Sequence, residues 1–404
     1  MDNIRSFPVS NRWCVHSYYT LCPYAPDGSG RVLIAGAELE SEEGEVIILS
    51  PSGEVLDRFG RQPITPSFWH TGFWQSWSPD GKSVYYQSGS LVEPGVTRRE
   101  LATGREIRVE GDMEGIPPSG EPGISCSHAL LYAAGYGDGR YTPEDAPVPF
   151  QARDQHGISR ISFDPPACEL MLSTQDVLDR HPQRERLLKE DDKIKNRLGQ
   201  DEGLTLMTYC VRWNPQGDRF LFYFGNHCVV KERGEPRLAY VFTADRQMED
   251  IHLALDISFE RRGVHWSWQP DGEKLIGYGP DPDEEGETCL AEVCYNGTGY
   301  RKLSEHASGG HPSACPTNGD LLVTDEKTED GGAVVFLSRR SGRVIDRIQL
   351  PKFRGDAEPP GRNPRRVCHH PVFSRDGSRV LCNTLPGRHA VTAEITNPKG
   401  EKGA

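Results

Sequence analysis

Short apolar runs rich in β-branched and aromatic residues recur along the whole chain, and each run is bounded by turn residues. Six of them, RVLIAGAE, SVYYQSG, RFLFYFGN, KLIGYG, LLVTDE and RVLCNT, directly follow a tight turn of the Pro-Asp-Gly kind. Runs of this length between turn signals are typical of β-strands. The six turns span residues 24–28, 77–81, 213–217, 268–272, 314–319 and 373–377.

A second hairpin follows most of these turns, as in EVIILSPSGEVLDRF and AVVFLSRRSGRVIDRI. A degenerate seventh copy without the turn occupies residues 121–173. Four short strands in each unit, repeated every roughly 45–60 residues, are the signature of β-propeller blades. We therefore predict an all-β chain folded as one seven-bladed β-propeller domain over residues 1–404.

Two segments need separate treatment. Residues 174–206 carry dense charge with Leu and Ile at helical spacing, which predicts a short helical insertion between the third and fourth blades. The N-terminal strand around Trp13–Tyr19 is expected to complete the last blade, because closing the ring in this way removes an exposed sheet edge.

Composition and charge exclude several classes of protein. With 36% hydrophobic residues, the chain has no uninterrupted apolar stretch long enough to span a membrane. The net charge of −13 argues against a general nucleic-acid or anionic-membrane binder. The first residues lack the apolar stretch of a secretory signal, and the eleven cysteines show no disulfide spacing, so we expect a cytoplasmic protein with reduced thiols.

Three histidines share one position relative to the turns. His265, His311 and His370 each lie four residues before the second residue of the turn segment given above, and Cys210 holds that place in the fourth blade. The innermost strands of a propeller surround one axis, so these side chains are expected to meet and bind zinc or another divalent metal. Cys368 and His369 are substitute ligands. The alternative is that the histidines only donate hydrogen bonds to backbone around the channel.

A second group of polar residues belongs to the second, third and fourth blades. Its chemistry suits proton transfer and recognition of a carboxylate. The candidates are His70, Gln87, Tyr132, Tyr136, Tyr141, Tyr209, Arg212 and His227.

The segments HPVFSRDGSRV, GGHPSACPTNGDLLVTD and VRWNPQGDRFLFYFGNH resemble the seven-bladed propeller polysaccharide lyases. That group includes oligogalacturonate lyase and the ulvan lyases, with related enzymes that act at rhamnose–glucuronate linkages. The resemblance implies β-elimination at a uronic acid in a polysaccharide or oligosaccharide, with the uronate carboxylate neutralised by arginine or metal. It carries over to His70 as the histidine of the second blade, Tyr136 as the tyrosine of the third and Arg212 as the neutralising arginine.

The chain departs from the family at two places. Where ulvan-type enzymes have a second histidine, this sequence reads VYYQSGS, so Gln87 replaces it as a substrate contact, together with Tyr209 and His227. Oligogalacturonate lyase uses a glutamine beside its metal-binding histidines, whereas here a cysteine would serve. A sulfur ligand favours zinc in a closed structural role over a catalytic manganese or calcium site.

Two other functional classes compete with the lyase. A non-catalytic binding or scaffold propeller of the TolB type would share the fold, since fold does not determine function. A hydrolase with paired carboxylates would need acidic residues at the axial positions, which instead read Leu21, Trp74, Cys210, His265, His311 and His370. For a polyanionic substrate, the negative net charge must be offset locally, and arginines at 261–262 and 362–366 are the candidates.

Overall fold

The computed structural model describes residues 4–121, 123–136, 141–226, 233–329, 331–351 and 367–398. Seven antiparallel sheets form the blades of a β-propeller, as predicted. Within the described residues, six sheets have four strands and the third has three. Blade by blade, the strands are β2 Trp13–Val15, β3 Val32–Ala37, β4 Glu43–Leu49 and β5 Val55–Pro63; β6 Ser76–Trp77, β7 Ser83–Gly89, β8 Pro94–Glu100 and β9 Glu106–Glu110; β10 Gly123–Ser125, β11 Gly157–Phe163 and β12 Pro166–Ser173; β13 Met207–Trp213, β14 Arg219–Gly225, β15 Ala239–Asp245 and β16 Ile251–Asp256; β17 Val264–Trp268, β18 Lys274–Pro280, β19 Thr288–Cys294 and β20 Arg301–Ser304; β21 Ser313–Cys315, β22 Asn318–Thr328, β23 Gly331–Ser338 and β24 Val344–Leu350; and β25 Val372–Phe373, β26 Arg379–Thr384, β27 Val391–Thr396 and β1 Ile4–Phe7.

The burial of each strand follows its place in the blade. The second strand of the first blade, β3, is buried at every position, because neighbouring blades cover both faces of the sheet. The outermost strand, β5, has one fully buried residue, Phe59, and exposes most of the others. This difference in burial explains why the second strands are continuous apolar runs and the fourth strands are mainly polar in sequence.

The ring is closed by β1, not by the segment predicted for that role. Ile4 pairs with Ile395 and Phe7 with Thr392, which completes the seventh blade. Trp13 instead pairs with Ala37 in the innermost strand of the first blade, so the prediction for residues 13–19 was wrong. The physical reason is that Phe7, only 1% exposed, fills the core shared with the seventh blade, where a completing strand has to be anchored.

Residues 16–23 leave the first blade and enter the axis. Val15 pairs with Ala35, and the next pairing joins Tyr24 to Val32. Eight residues on one strand therefore span two on its neighbour. This excursion, called the axial plug below, carries Tyr18 and Tyr19 into contact with residues of the other blades.

Five short helices decorate the propeller in the described residues. The α-helices are α1 Phe68–Thr71, α2 His128–Ala133, α3 Thr174–Asp179 and α4 Arg184–Leu198, and a 3-10 turn covers Pro143–Asp145. Helices α3 and α4 form the insertion predicted between the third and fourth blades, and Leu187 and Ile194 attach α4 to the core. None of the helices in these ranges is both long and apolar enough to cross a bilayer.

Candidate functional site

Four residues at the same repeat position, in or just before an innermost strand, adopt a left-handed backbone. The φ angles of Trp74, Cys210, His265 and His370 are 53°, 56°, 58° and 46°. Strands β13 and β17 change register across this position, which is the mark of a β-bulge. The bulge leaves one residue out of the ladder, and the repeat places equivalent residues around the axis.

Three predicted histidines lie together at one end of the axial channel, the end where the inner strands begin. The ring centroids of His265 and His311 are 4.0 Å apart, and those of His311 and His370 are 4.3 Å apart. Ligand atoms of His311, Cys368 and His370 all lie within 4.8 Å of one another, a grouping that could hold a metal ion. This end of the channel is called the entry mouth.

Hydrogen bonds orient two of these rings. His311 Nδ1 lies 2.9 Å from a carboxylate oxygen of Asp325, and His265 Nδ1 lies 3.0 and 2.9 Å from the carbonyl oxygens of Gly309 and Gly310. Because the glycine carbonyl oxygens and an ionised Asp325 carboxylate can only accept a hydrogen bond, the Nδ1 atom of each ring carries a proton. A carboxylate behind a histidine is a common support for a metal ligand.

Burial sets the charge of this group. Burial lowers the pKa of His265 and of His370 well below the ordinary value, and the neighbouring His311 adds to the effect. Burial would raise the pKa of the Asp325 carboxyl, but the His311 ring beside it holds that pKa below its usual range. His370 Nδ1 is buried and has no hydrogen-bond partner within the described chain. Neutral imidazoles with an unused nitrogen suit metal coordination.

Of the two substitute ligands, Cys368 is close to the histidines and His369 faces away from them. Cys368 belongs to the metal-ligand group, whereas His369 points its Nδ1 at the carbonyl oxygen of Asn383, 2.7 Å away. Cys210 shares the bulge of His265 but is not a member of that group. Its electrostatic neighbours are instead Arg212 and the tyrosines of the axial plug.

His70 reaches the entry mouth from the last turn of α1. Its Nδ1 lies 3.3 Å from Cys368 Sγ. Tyr136 is half-buried, contacts Tyr132 edge-on with centroids 5.4 Å apart, and lies close enough to Tyr18 to influence the pKa of that phenol. Both predicted acid-base residues therefore border the group of histidines or the plug beside it.

Arg212 is buried at the centre of the channel and contacts the axial plug. Its guanidinium donates to the Tyr19 hydroxyl at 2.9 Å, to the Tyr18 hydroxyl at 3.2 Å and to the carbonyl oxygen of Trp266. No carboxylate pairs with it in the described residues. Burial raises the pKa of both tyrosines well above the ordinary value, and Arg212 offsets only part of that rise, so both phenols are protonated at neutral pH.

The predicted substrate contacts lie elsewhere. Gln87 is buried and uses both ends of its amide, since Nε2 lies 2.9 Å from Asp112 Oδ1 and Oε1 accepts from the Met113 amide at 2.9 Å. Tyr209 is fully buried and packs on Tyr223 with centroids 5.4 Å apart. His227 lies outside the described residues. Gln87 and Tyr209 are therefore packed into the wall of the channel, and their role as substrate contacts stays a prediction.

Sequence reasoning missed a buried histidine flanked by two acids. His128 Nδ1 lies 3.1 Å from Asp112 and Nε2 lies 3.4 Å from Glu114, while Trp74 stacks on the ring. Burial alone would lower the pKa of His128, but the two carboxylates raise it to about 10. These residues come from the degenerate third copy and the loop before it, where no repeat position marks them.

The axial plug was also missed. The Tyr18 ring lies 4.7 Å from His370 and 5.3 Å from Trp74, and the Tyr19 ring lies 5.2 Å from His311. In the sequence these tyrosines follow β2 directly and share its strand-like composition. The tertiary structure identifies them as a loop, because the pairing with the neighbouring strand β3 is interrupted over residues 16–23.

No family model matches the chain, and no curated protein matches its sequence. Solved structures do match its fold. An oligogalacturonate lyase in complex with manganese has a TM-score of 0.64 at 13% identity, covering 98% of this chain and 93% of that one. An oligogalacturonate lyase from Vibrio parahaemolyticus has a TM-score of 0.63 at 12% identity, covering 99% and 94%. Hydrazine synthase from Kuenenia stuttgartiensis has a TM-score of 0.50 at 12% identity, covering 94% and 95%. At these identities the likeness establishes the fold alone.

Proposed function

We propose that this protein is a lyase that breaks a glycosidic bond next to a uronic acid by β-elimination. The observation that carries the proposal is that two imidazoles outside the metal-ligand group stand directly against it. The His265 ring contacts the His311 ring at a tilt of 33°, and His70 contacts Cys368. Elimination at a uronate needs a base next to a centre that neutralises the carboxylate, because the C5 proton is otherwise too weakly acidic.

A divalent metal fits the donors at the entry mouth. His311, Cys368 and His370 would hold it, with Asp325 orienting His311 from behind. The thiolate donor favours zinc, whereas one structural neighbour is a complex with manganese. Three ligands from the described part of the chain would leave a fourth position open, so a catalytic role fits the grouping better than the closed structural role expected from the sequence. Such an ion would supply charge neutralisation at the uronate carboxylate.

The protein's own groups would move the protons. His265, which burial keeps neutral, or His70 would take the C5 proton on a ring nitrogen. As the C4–O bond breaks and the C4–C5 double bond forms, the departing oxygen would take a proton from a phenol. Tyr18 and Tyr136 are the candidates, because both are half-buried at the mouth. Arg212 would act through Tyr18, whose hydroxyl it holds.

The substrate class follows from this chemistry. A uronic-acid-containing oligosaccharide or polysaccharide supplies the carboxylate and the leaving oxygen together. Oligogalacturonate is the first substrate to test, because two proteins with the same fold are oligogalacturonate lyases.

The direct experiment is to incubate metal-loaded protein with oligogalacturonate, ulvan, glucuronan and rhamnose–glucuronate glycans. An unsaturated uronate product, detected by its ultraviolet absorbance and by mass, is expected from at least one substrate. Absence of product from all of them at several pH values would overturn the lyase proposal in favour of a binding propeller.

A further inference from the structure

The axial channel has a second opening, at the end where the inner strands finish and the tight turns lie. A cavity of about 390 Å³ occupies this end, called the turn mouth, and residues from every side of the ring line it. Trp77, Trp213 and Trp268 provide broad aromatic surface. Tyr19 and Arg212 line the cavity and also contact the residues of the entry mouth, so they separate the two ends.

Three residues of the cavity wall carry buried polar atoms without a hydrogen-bond partner in the described ranges. They are Arg212 Nε, Glu114 Oε2 and Trp213 Nε1. Arg212 is only 4% exposed and Glu114 only 6%. Buried polar atoms are nearly always satisfied by protein, water or ligand, so these three residues of the cavity wall retain unused capacity for hydrogen bonds.

The charges of the wall favour an anion. The charged residues that line the cavity are two arginines, Arg212 at the inner end and Arg375 at the rim, and one carboxylate, Glu114. Glu114 is itself paired with His128, which reduces its repulsion of a negative ligand. The cavity is thus locally positive in a protein whose net charge is −13. Its volume falls in the range that binds one small molecule.

We propose that the turn mouth is a separate binding site for a small cyclic carboxylic acid. The carboxylate would bind between Arg212 and Arg375, and the ring would pack on the tryptophans. A pyranose acid and an aromatic acid share this chemistry, since both offer a flat face and one carboxylate. The site goes beyond the proposed lyase activity and does not depend on it.

Binding of D-galacturonate and of benzoate distinguishes the two sources, with galactose and benzyl alcohol as neutral counterparts. Titration calorimetry gives affinity, and quenching of tryptophan fluorescence reports the cavity itself. We expect saturable binding of at least one acid and at least about tenfold weaker binding of its neutral counterpart, because an arginine–carboxylate bond is lost.

Two arginines of the seventh blade provide a matched pair. Arg375 is exposed at the turn mouth, whereas Arg388 is exposed in the loop between β26 and β27 at the opposite end of that blade. Arg375→Ala is expected to weaken acid binding about tenfold, and Arg388→Ala is expected to leave it unchanged. Binding should also persist in His370→Ala, which alters only the entry mouth.

Three results would overturn the site: no saturable binding of either acid, equal binding of the neutral counterparts, or loss of binding in His370→Ala or Arg388→Ala but not in Arg375→Ala. The first would mean that water satisfies the buried atoms. Because the ligands are unreacted acids and no turnover is measured, a failed lyase assay leaves this test intact.

Discussion

The guanidinium of Arg212 donates to the hydroxyl of Tyr18 at 3.2 Å across the channel, although 194 positions separate the two residues. A buried cation is here held by phenols and a backbone carbonyl instead of a carboxylate. The Arg212 positive charge is therefore directed at the axial plug, and Tyr18 connects it to the histidines of the entry mouth.

The two plug tyrosines should differ in their effect on activity. Tyr18 is half-buried and Tyr19 only 1% exposed, so only Tyr18 can reach a substrate. Tyr18→Phe is expected to lower turnover at least about 10²-fold. Tyr19→Phe should retain most activity and cost roughly 1–3 kcal/mol of unfolding free energy, because one Arg212 N–H loses its acceptor. Steady-state kinetics and urea unfolding of both variants measure this difference, and equal kinetics would contradict it.

Metal binding should depend on Cys368 and His370 but not on His369, which lies between them in the sequence. Cys368→Ser and His370→Ala are expected to lose bound divalent metal, as measured by elemental analysis after dialysis. His369→Ala is the matched control, since its ring faces Asn383, and it should keep the metal. Asp325→Asn should weaken metal affinity by about 10–100-fold by freeing the His311 ring. Full metal retention in His370→Ala would place the ion elsewhere.

The base should be one of two histidines. Replacing the true base by glutamine is expected to lower kcat by about 10²–10⁴-fold without removing the metal, whereas the other variant should change kcat little. His265→Gln and His70→Gln are compared, with His252→Gln on the outermost strand of the fourth blade as control. If both variants keep wild-type kcat, neither histidine takes the proton.

The His128 cluster should make stability depend on pH. The folded pKa of His128 is about 10 against an ordinary value of 6.5, so its stabilising contribution is complete below about pH 6.5 and is lost as the pH rises through 10. His128→Gln should cost about 3 kcal/mol at pH 7, because two buried carboxylates lose their counter-charge.

The measurement is the difference in unfolding free energy between wild type and His128→Gln from pH 6 to 10. Taking the difference removes the titration of groups that both proteins share. The gap should narrow as the pH rises, and a constant gap would mean that His128 is neutral in the folded protein.

Features that recur in each repeat unit could be predicted from the sequence. The turn and the apolar run after it recur in six units, and with one degenerate copy they are sufficient to predict seven blades. The shared offset from the turn predicts that His265, His311 and His370 belong together. The repeat carries no information about residues that break it. Asp325, Cys368 and Tyr18 occupy no common offset, so their approach to the histidines depends on tertiary packing.

Local context also misled one assignment. Trp13 and Tyr19 have the composition of a strand, and half of that prediction was right, because β2 begins at Trp13. The pairing partner depends on which residue fills the core of the seventh blade, and Phe7 does so from a short stretch with polar neighbours. Burial of a single aromatic residue thus determined which segment closes the ring.

Ring closure also constrains how the protein is made on the ribosome. Strand β1 is synthesised before the other described strands of the propeller, yet its partner β27 emerges only after six blades have been completed. At ordinary rates of translation the wait lasts on the order of tens of seconds. Strand β1 is four residues long and includes the polar residues Arg5 and Ser6. A strand this short and polar pairs only weakly with other nascent chains before β27 is made.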